Sequence, residues 1–387
     1  MHIGFFTDSY LPRRSGVVRA VEAAGAHLRR RGHRVSVIAP AYPGYVDHDP
    51  DVHRVPSVAP PGHPDFPLAV PYSASQLRGI RALGLDVVHS HSPFLLGGVG
   101  LWVARMLHRP VVFTYHTMYA EYAHYAPLIG DLTRPLVLAY TTAYCNRCDR
   151  VLASVPSLAA RLREYGVRAP VEVIPSVGIE PEAFAGAPPT GVRAALGVPA
   201  EAPLLVCVGR LAKEKGVPLL LEAYAAVPPD TRLVLVGDGP ERAVLAEHAR
   251  RLGLSGRVVF AGGMAHARVV EILRSADLFV FPSQTETLGL AVVEAMAAGL
   301  AVVAVRAGAA ADVVRDGETG ELVPADPARF AEAIRALLRD PERRAEMGRR
   351  GRAAAAAYAQ ALITDRLVTL YEAAVAAGAA PAASGRA

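Results

Sequence analysis

The stretch PSQTETLGLAVVEAMAAG, running from Pro282 to Gly299, decides how this chain is read. It places two carboxylates, Glu286 and Glu294, beside and inside an apolar run. An unpaired buried charge is expensive, so both need a reason to be there. The residues before it, DLFVFPS, read as a buried strand ending near Ser283. QTETLG reads as a loop and LAVVEAMAA as a helix, with Gly299 as its stop. Glu286 then lies at a strand-to-helix turn. The backbone N–H groups of Leu288, Gly289 and Leu290 lie near a helix N-terminus, which binds phosphate through free N–H groups and the helix dipole. Gly289 lets a ligand approach the backbone closely. Glu294, about one turn into the helix, can accept two hydrogen bonds from a cis-diol such as a ribose. The plainer alternative stays open at this point: Glu286 as a dipole-favoured residue, Glu294 as a salt-bridge partner.

The same strand–loop–helix unit recurs on both sides. HIGFFTD, HRVSVIAP, DVVHSHSP, PVVFTYH, DRVLASV and VEVIPSVG read as strands of a first half, separated by helical patterns. PLLVCVGRL, TRLVLVGDG, RVVFAGG, DLFVFPS and LAVVAVR repeat the theme after Pro188 and Pro189. Strands apolar on both faces belong in parallel sheets covered by helices. The fold class is therefore α/β, with two Rossmann-like doubly wound domains. Their expected ranges are 1–178 and 179–356, and the family resemblance given below implies that a C-terminal helix at about 357–378 completes the first. The segment from Ile179 to Thr190, carrying Pro181, Pro188 and Pro189, is expected to be the linker. GAAPAASGRA is expected to be a disordered tail. No repeat of solenoid or propeller period is present.

Composition agrees with this reading. A chain of 387 residues with 52% hydrophobic residues suits two cores. A net charge of +5 favours acidic partners such as nucleotide phosphates or anionic lipid, or describes only an Arg-rich surface. Cys145 and Cys148 have CxxC spacing, but a zinc site needs a second pair, and Cys207 is the one cysteine left. They read as half-buried helix thiols in a reducing compartment. Asp47, Asp49 and Asp51 read as a surface loop, and no metal is predicted. MHIGFFTDSYLP has neither a basic leader nor a long apolar run, so no signal peptide is expected, and the run Leu288 to Val305 is broken by Glu294 and Gly299. The chain is expected to be cytoplasmic, either soluble or peripheral on the inner face of the cell membrane.

Ligands of open α/β sheets bind outside the carboxyl ends of strands. Four further places there carry chemistry. VCVGRLAKEKG sets Arg210 and Lys215 beyond a strand, where a planar fork and a point charge suit a diphosphate. TDSYLPRRSGVVRAV sets Gly16 between the first strand and its helix; it lacks a dinucleotide fingerprint, but a glycine there admits a phosphate. VFTYHTMYAEYAHY ends a strand with His116, catalytic or structural, and His89 and His91 share that setting. Gly263 and Met264 follow another strand and are candidates to read the donor.

These residues resemble a family. Glu286 and Glu294 with seven residues between them look like the EX7E motif of retaining glycosyltransferases of family 4. VGRLAKEKG, LVLVGDGPER, VVFAGG and ADLFVFPS stand in that family's order, and TDSYLPRRSGVV and VIPSVGIEPEAF match its N-terminal and linker segments. The resemblance implies the GT-B fold: two domains facing a cleft, donor held mainly by the C-terminal one and acceptor by the N-terminal one, the last helix crossing back to the first domain. It implies that Arg210 and Lys215 bind the donor diphosphate, with Gly16 leaving room for phosphate. Glu294 would hold the ribose, Glu286 the donor sugar with help from Leu288, Gly289 and Leu290. His116 would sit near the sugar's 6-hydroxyl or the reacting centre. Family members need no metal and no cofactor beyond the nucleotide-sugar substrate. One departure is present: where the family often has Gly-Gly, this chain has Gly308 followed by Ala309.

TYHTMYAEYAHYAPL is more particular. It resembles the corresponding segment of bacterial diacylglycerol glycosyltransferases, which implies a lipid acceptor. Trp102, Arg105, His108 and Arg109 mix aromatic and basic character on or just after one helix, suiting an anionic membrane surface or simply a solvated face. UDP-hexose is the favoured donor and GDP-mannose the second. Three other readings are a soluble sugar, capsule or phosphatidylinositol acceptor, a sugar-nucleotide 2-epimerase, and a nucleotide-sugar binder without turnover. The intact set Arg210, Lys215, Glu286 and Glu294 argues against the last. Scattered positive charge argues against nucleic acid.

Overall fold

A computed structural model describes residues 1–13, 15–58, 67–70, 74–119 and 130–379. The chain forms two compact units, one of residues 1–178 with 360–387, the other of residues 179–359. The strands of the first unit are β1 (His2–Phe6), β2 (Arg34–Pro40), β3 (Val52–Val55), β4 (Ser57–Val58), β5 (Leu68–Ala69), β6 (Val87–Ser90), β7 (Val111–Thr114), β8 (Arg150–Ala153) and β9 (Val171–Val173). Its helices are α1 (Gly16–Arg30), α2 (Ala74–Ala82), α3 (Leu95–Leu107), α4 (Gly130–Cys145) and α5 (Pro156–Glu164). The second unit carries α6 (Val192–Ala195), β10 (Leu204–Val208), α7 (Val217–Ala225), β11 (Arg232–Val236), α8 (Arg242–Arg251), β12 (Val258–Gly262) and α9 (His266–Ser275). It continues with β13 (Leu278–Phe281), α10 (Leu290–Ala297), β14 (Val302–Val305), α11 (Ala310–Val313), β15 (Gly320–Val323), α12 (Pro327–Arg339) and α13 (Pro341–Ala355). α14 (Gln360–Ala379) closes the described chain.

Both large sheets are parallel. The first runs β3-β2-β1-β6-β7-β8-β9 and the second β12-β11-β10-β13-β14-β15. In each, the order reverses direction beside the first strand: between β1 and β6, and between β10 and β13. The strands flanking these points are buried along nearly their whole length, as their apolar runs require. α1 starts where Ser15 accepts a hydrogen bond from the Val18 N–H, and ends before Gly32 at φ 79°.

The C-terminal helix belongs to the first unit. Ile363, Leu367, Leu370 and Tyr371 are buried in one cluster with Val18, Val21 and Leu28 of α1 and with the β1 core. Arg31 adds hydrogen bonds to Asp365 at 2.6 Å and the Ala361 carbonyl at 2.7 Å. The helix begins at Gln360; Ala356–Tyr358 form a separate 3-10 turn of the second unit.

Two expectations need correction. The segment 179–190 is not a linker. Pro181–Phe184 form a 3-10 turn, Phe184 is buried, and Arg274 bonds the Ala187 carbonyl. Proline punctuation marked an irregular but packed segment, because Phe184 supplies enough apolar surface to hold it down. Cys145 and Cys148 are buried rather than half-buried, and burial pushes the Cys145 thiol up to about 12. The expected tail lies, beyond Ala379, outside the described residues.

Because α14 covers α1 through a continuous apolar seam, Leu367→Ala is expected to destabilise the protein by about 2–5 kcal/mol. The check is the urea midpoint; an unchanged midpoint would mean that the seam contributes little.

Candidate active site

The carboxyl ends of the strands at the two reversal points collect the polar residues. In the second unit, β10 is followed by Gly209 and Arg210, and β13 by Pro282, Ser283 and the loop bearing Glu286. Arg210, Lys215, Pro282 and Ser283 line one small pocket there. Lys215 Nζ forms an ion pair with Glu286 Oε1 across 71 residues of sequence, and Ser283 Oγ donates to the same oxygen at 3.2 Å. Both partners of the pair are mostly shielded, with side chains 19% and 18% exposed. Arg210 is exposed. The second basic group predicted to meet a diphosphate is thus already neutralised by the first glutamate.

α10 starts immediately beyond. Its N-cap is Gly289 at φ 67°. A Cβ at Gly289 would meet nothing closer than 3.8 Å, so the left-handed backbone, not crowding, is what demands glycine here. Leu288 is buried and Leu290 half-buried. Glu294 is only 3% exposed. Its Oε1 lies 2.8 Å from His266 Nε2, at the start of α9. His266 escaped the sequence reading. It lies 28 residues away and carries no motif of its own, so only the fold shows the contact. Met264 is half-buried and Gly263 exposed in the turn between β12 and α9.

The Gly308–Ala309 departure has a structural account. Gly308 lies at φ 52°, and a Cβ on it would come within 3.0 Å of the Glu286 amide nitrogen. Ala309 lies at φ −65°, ψ −20°, an ordinary helical conformation, and donates its N–H to the Glu286 carbonyl at 3.1 Å. Glycine is needed at the first position and dispensable at the second.

In the first unit, β1 and β6 deliver Asp8, His91 and Ser92, and β7 delivers His116. Asp8 accepts from the Leu96 N–H at 2.8 Å and from Ser92 Oγ, tying down the start of α3. Burial raises the Asp8 pKa above the usual carboxylate value. His89 is a structural residue. Its two ring nitrogens meet Tyr371 Oη at 2.5 Å and Thr114 Oγ1 at 2.7 Å. His91 Nδ1 lies 2.9 Å from His116 Nε2. Burial pushes His89 and His116 down to about 3 and His91 well below its usual value, so all three rings are neutral at pH 7. Gly16 is exposed at the start of α1 with open space where a Cβ would stand.

The three aspartates of the loop after β2 do not converge. Asp47 pairs with Arg54, Asp49 with Arg29 and Asp51 with Arg34. Among the described residues, no group of three or more His, Cys, Asp or Glu side chains is arranged to hold a metal ion. Of the TYHT segment, residues after Tyr119 lie outside the described residues.

Comparison with known proteins places the chain in a family. A family model described as glycosyl transferases group 1 matches residues 191–354, and one described as Glycosyltransferase Family 4 matches residues 14–179. An alpha-monoglucosyldiacylglycerol synthase of Streptococcus pneumoniae is 32% identical over 79% of this chain and 71% of that protein. A GDP-mannose-dependent alpha-mannosyltransferase of Mycobacterium tuberculosis is 34% identical over 96% of this chain and 97% of that protein. Among solved structures, an Anabaena protein (Alr3699/HepE) in complex with UDP superposes with a TM-score of 0.78 at 22% identity, covering 96% of this chain and 100% of that one. This likeness shows the GT-B fold.

Gly308→Ala combines a strained backbone with a contact against Glu286, whereas Ala309→Gly meets neither problem. The first is expected to cost about 1–3 kcal/mol, the second about 1 kcal/mol at most. Thermal melts of the two variants side by side check the difference; equal losses would contradict the backbone assignment.

Proposed function

The chain belongs to glycosyltransferase family 4, and we propose that it moves a hexose from a nucleotide-diphosphate sugar to a lipid acceptor of the diacylglycerol class, with retention of configuration and without a metal ion. The observation that carries the donor half is the gathering of Arg210, Lys215, Glu286 and the α10 N-terminus at one sheet reversal. A diphosphate placed there meets a guanidinium, an ammonium and the N–H groups of a helix start. Those groups are fixed before reaction, so they stabilise leaving-group charge without reorganising. Glu286 would contact the sugar, and Glu294, held deep in α10, the ribose. Leu288, Gly289 and Leu290 would supply backbone contacts, Met264 would border the base, and Gly16 would leave room for phosphate. His116 would meet the sugar near the reacting centre. The acceptor's proton would pass to the leaving phosphate oxygen, on the same face as the departing group.

The favoured donor is UDP-hexose and the favoured acceptor diacylglycerol; the alpha-monoglucosyldiacylglycerol synthases of Streptococcus pneumoniae and Acholeplasma laidlawii support the acceptor and a glucosyl group. A GDP-mannose donor is the second reading, favoured by the mycobacterial mannosyltransferase that aligns along 96% of the chain.

A lipid acceptor calls for a membrane surface, and α3 offers one. Trp102 and Met106 are 45% and 44% exposed, beside exposed Arg105, His108 and Arg109. Trp102, Arg105, Tyr140 and Arg147 line a groove of about 230 Å³ whose charged lining is arginine alone. Apolar side chains ringed by cations suit the headgroup level of an anionic bilayer. Among the described residues, no helix is long and apolar enough to cross a membrane. The proposed association is therefore peripheral, on the cytoplasmic face.

The test is nucleotide release from UDP-glucose, UDP-galactose, UDP-N-acetylglucosamine or GDP-mannose, each with and without liposomes containing diacylglycerol. Release from one donor only with the lipid, and a glycolipid in the mass spectrum, is the expected result. Full activity without lipid would sink the acceptor assignment. Glu294→Ala is expected to weaken nucleotide binding about tenfold or more, since it removes charge-assisted hydrogen bonds. Lys215→Ala is expected to lower kcat more, by about 10²–10³-fold. Unchanged nucleotide affinity in Glu294→Ala would count against the ribose role.

A further inference from the structure

We infer that Gly237 and Gly239, the two glycines of the turn after β11, are positioning residues that aim Arg210 at the donor. This rests on the reading of Arg210 as a contact of the donor diphosphate.

Arg210 is exposed, and a long side chain on a loose loop binds an anion poorly, because the loop must first be ordered. The main chain under Arg210 is not loose. Gly209 donates its N–H to the Val236 carbonyl at 2.9 Å, and Leu211 donates its own to the Asp238 carbonyl at 2.9 Å. The Leu211 carbonyl accepts from the Glu241 N–H at 3.0 Å, and the Leu211 side chain is buried in the core of the second unit. The residues on both sides of Arg210 are therefore held by residues 236–241. The pairing of β10 with β11 brings the two strand ends together.

The approach is closer than a side chain would allow. A Cβ at Gly237 would stand 2.0 Å from the Gly209 carbonyl oxygen, and one at Gly239 would stand 2.2 Å from the Leu211 carbonyl oxygen. The two carbonyls that flank Arg210 thus each rest against one glycine of the turn. Gly237 has a second reason to be glycine, its φ of 134°. Gly239 has a negative φ, so close approach alone excludes a side chain there. The turn is braced on its other side. Gly237 donates its N–H to the Gly262 carbonyl at 2.9 Å, Asp238 Oδ1 accepts from the Gly239 N–H at 2.8 Å, and the Gly239 carbonyl accepts from the Arg242 N–H at 3.2 Å. A methyl group at position 239 would push the Leu211 main chain, and Arg210 with it. The pair of glycines lets the turn serve as a rigid seat for Arg210, so that the guanidinium is placed before the diphosphate arrives.

A double-mutant cycle separates the aiming of Arg210 from general support of the fold. Calorimetry with UDP and with GDP reads nucleotide affinity. Arg210→Ala and Gly239→Ala are each expected to weaken binding by about tenfold, the worth of a charge-assisted hydrogen bond. With Arg210 already removed, Gly239→Ala is expected to change affinity by less than about twofold, since nothing is left to aim. Equal weakening by Gly239→Ala in both backgrounds would overturn the inference. So would an Arg210→Ala variant that binds nucleotide as wild type does. Should Gly239→Ala fail to fold, Asp238→Ala and Asp238→Asn carry the same cycle. Both remove the charge, and only asparagine keeps an oxygen for the Gly239 N–H. Asp238→Ala is then expected to bind about threefold more weakly than Asp238→Asn where Arg210 is present, and equally where it is absent. Equal binding by the two in the presence of Arg210 would count against the turn as a seat. A chain that bound UDP or GDP but transferred no sugar would sink the proposed function, while the cycle still decided the role of the turn. A chain that bound neither would remove the role of Arg210, and this inference with it.

Discussion

A parallel sheet buried on both faces leaves polar chemistry one place to go. The central strands of the two large sheets, β1, β6, β10 and β13, spend nearly their whole length buried, and a charge there would lack water and partner alike. Only the loops beyond the carboxyl ends are open to polar groups, and only where neighbouring crossovers diverge is there room between them. Each unit obeys this. Between β1 and β6 lie Asp8, His91 and Ser92, with His116 one strand further. Between β10 and β13 lie Arg210, Lys215, Ser283 and Glu286. Sheet order, more than any single residue, assembles these groups from distant parts of the chain.

This explains why some of the site was legible in the sequence and some was not. The EX7E spacing, the apolar strands and the glycine stops are local patterns, and local patterns survive in one dimension. Glu286 and Glu294 could be placed at a helix start because the loop and helix around them are contiguous. Their partners could not. Lys215 reaches Glu286 across three helices (α7, α8 and α9) and three strands (β11, β12 and β13) of sequence. His266 reaches Glu294 from a different strand–helix unit. His91 reaches His116 from the next strand of the sheet. Each pairing is set by strand order and register, which motif reading does not supply. The misread segment 179–190 has a related cause. Its prolines exclude regular structure, but they do not exclude burial, and Phe184 anchors it within the second unit.

Backbone conformation sharpens the comparison with the family pattern. A missing second glycine at Ala309 looked like a departure at a sensitive loop. The φ values show why it is harmless while its neighbour Gly308 is constrained. The position that must be glycine is the one whose missing Cβ lets the loop after β14 lie against the Glu286 main chain. That contact, together with the Ala309 N–H bond, fixes the loop carrying Glu286 from behind.

The question raised by two carboxylates beside an apolar run now has a physical answer. Neither is buried alone: Glu286 has Lys215 and Ser283, and Glu294 has His266. Removing one member of such a pair strands the other, so each pair is costly to break but not a large source of stability. Groups satisfied in this way are poised for exchange. Under the proposed function, a diphosphate near Lys215 would offer the ammonium a second anion and so free carboxylate capacity for sugar hydroxyls. Under the same reading, a ribose near Glu294 would compete with, or join, a histidine that is 45% exposed. The donor would take the place of these partners, and binding would be an exchange of hydrogen bonds rather than the neutralisation of bare charges.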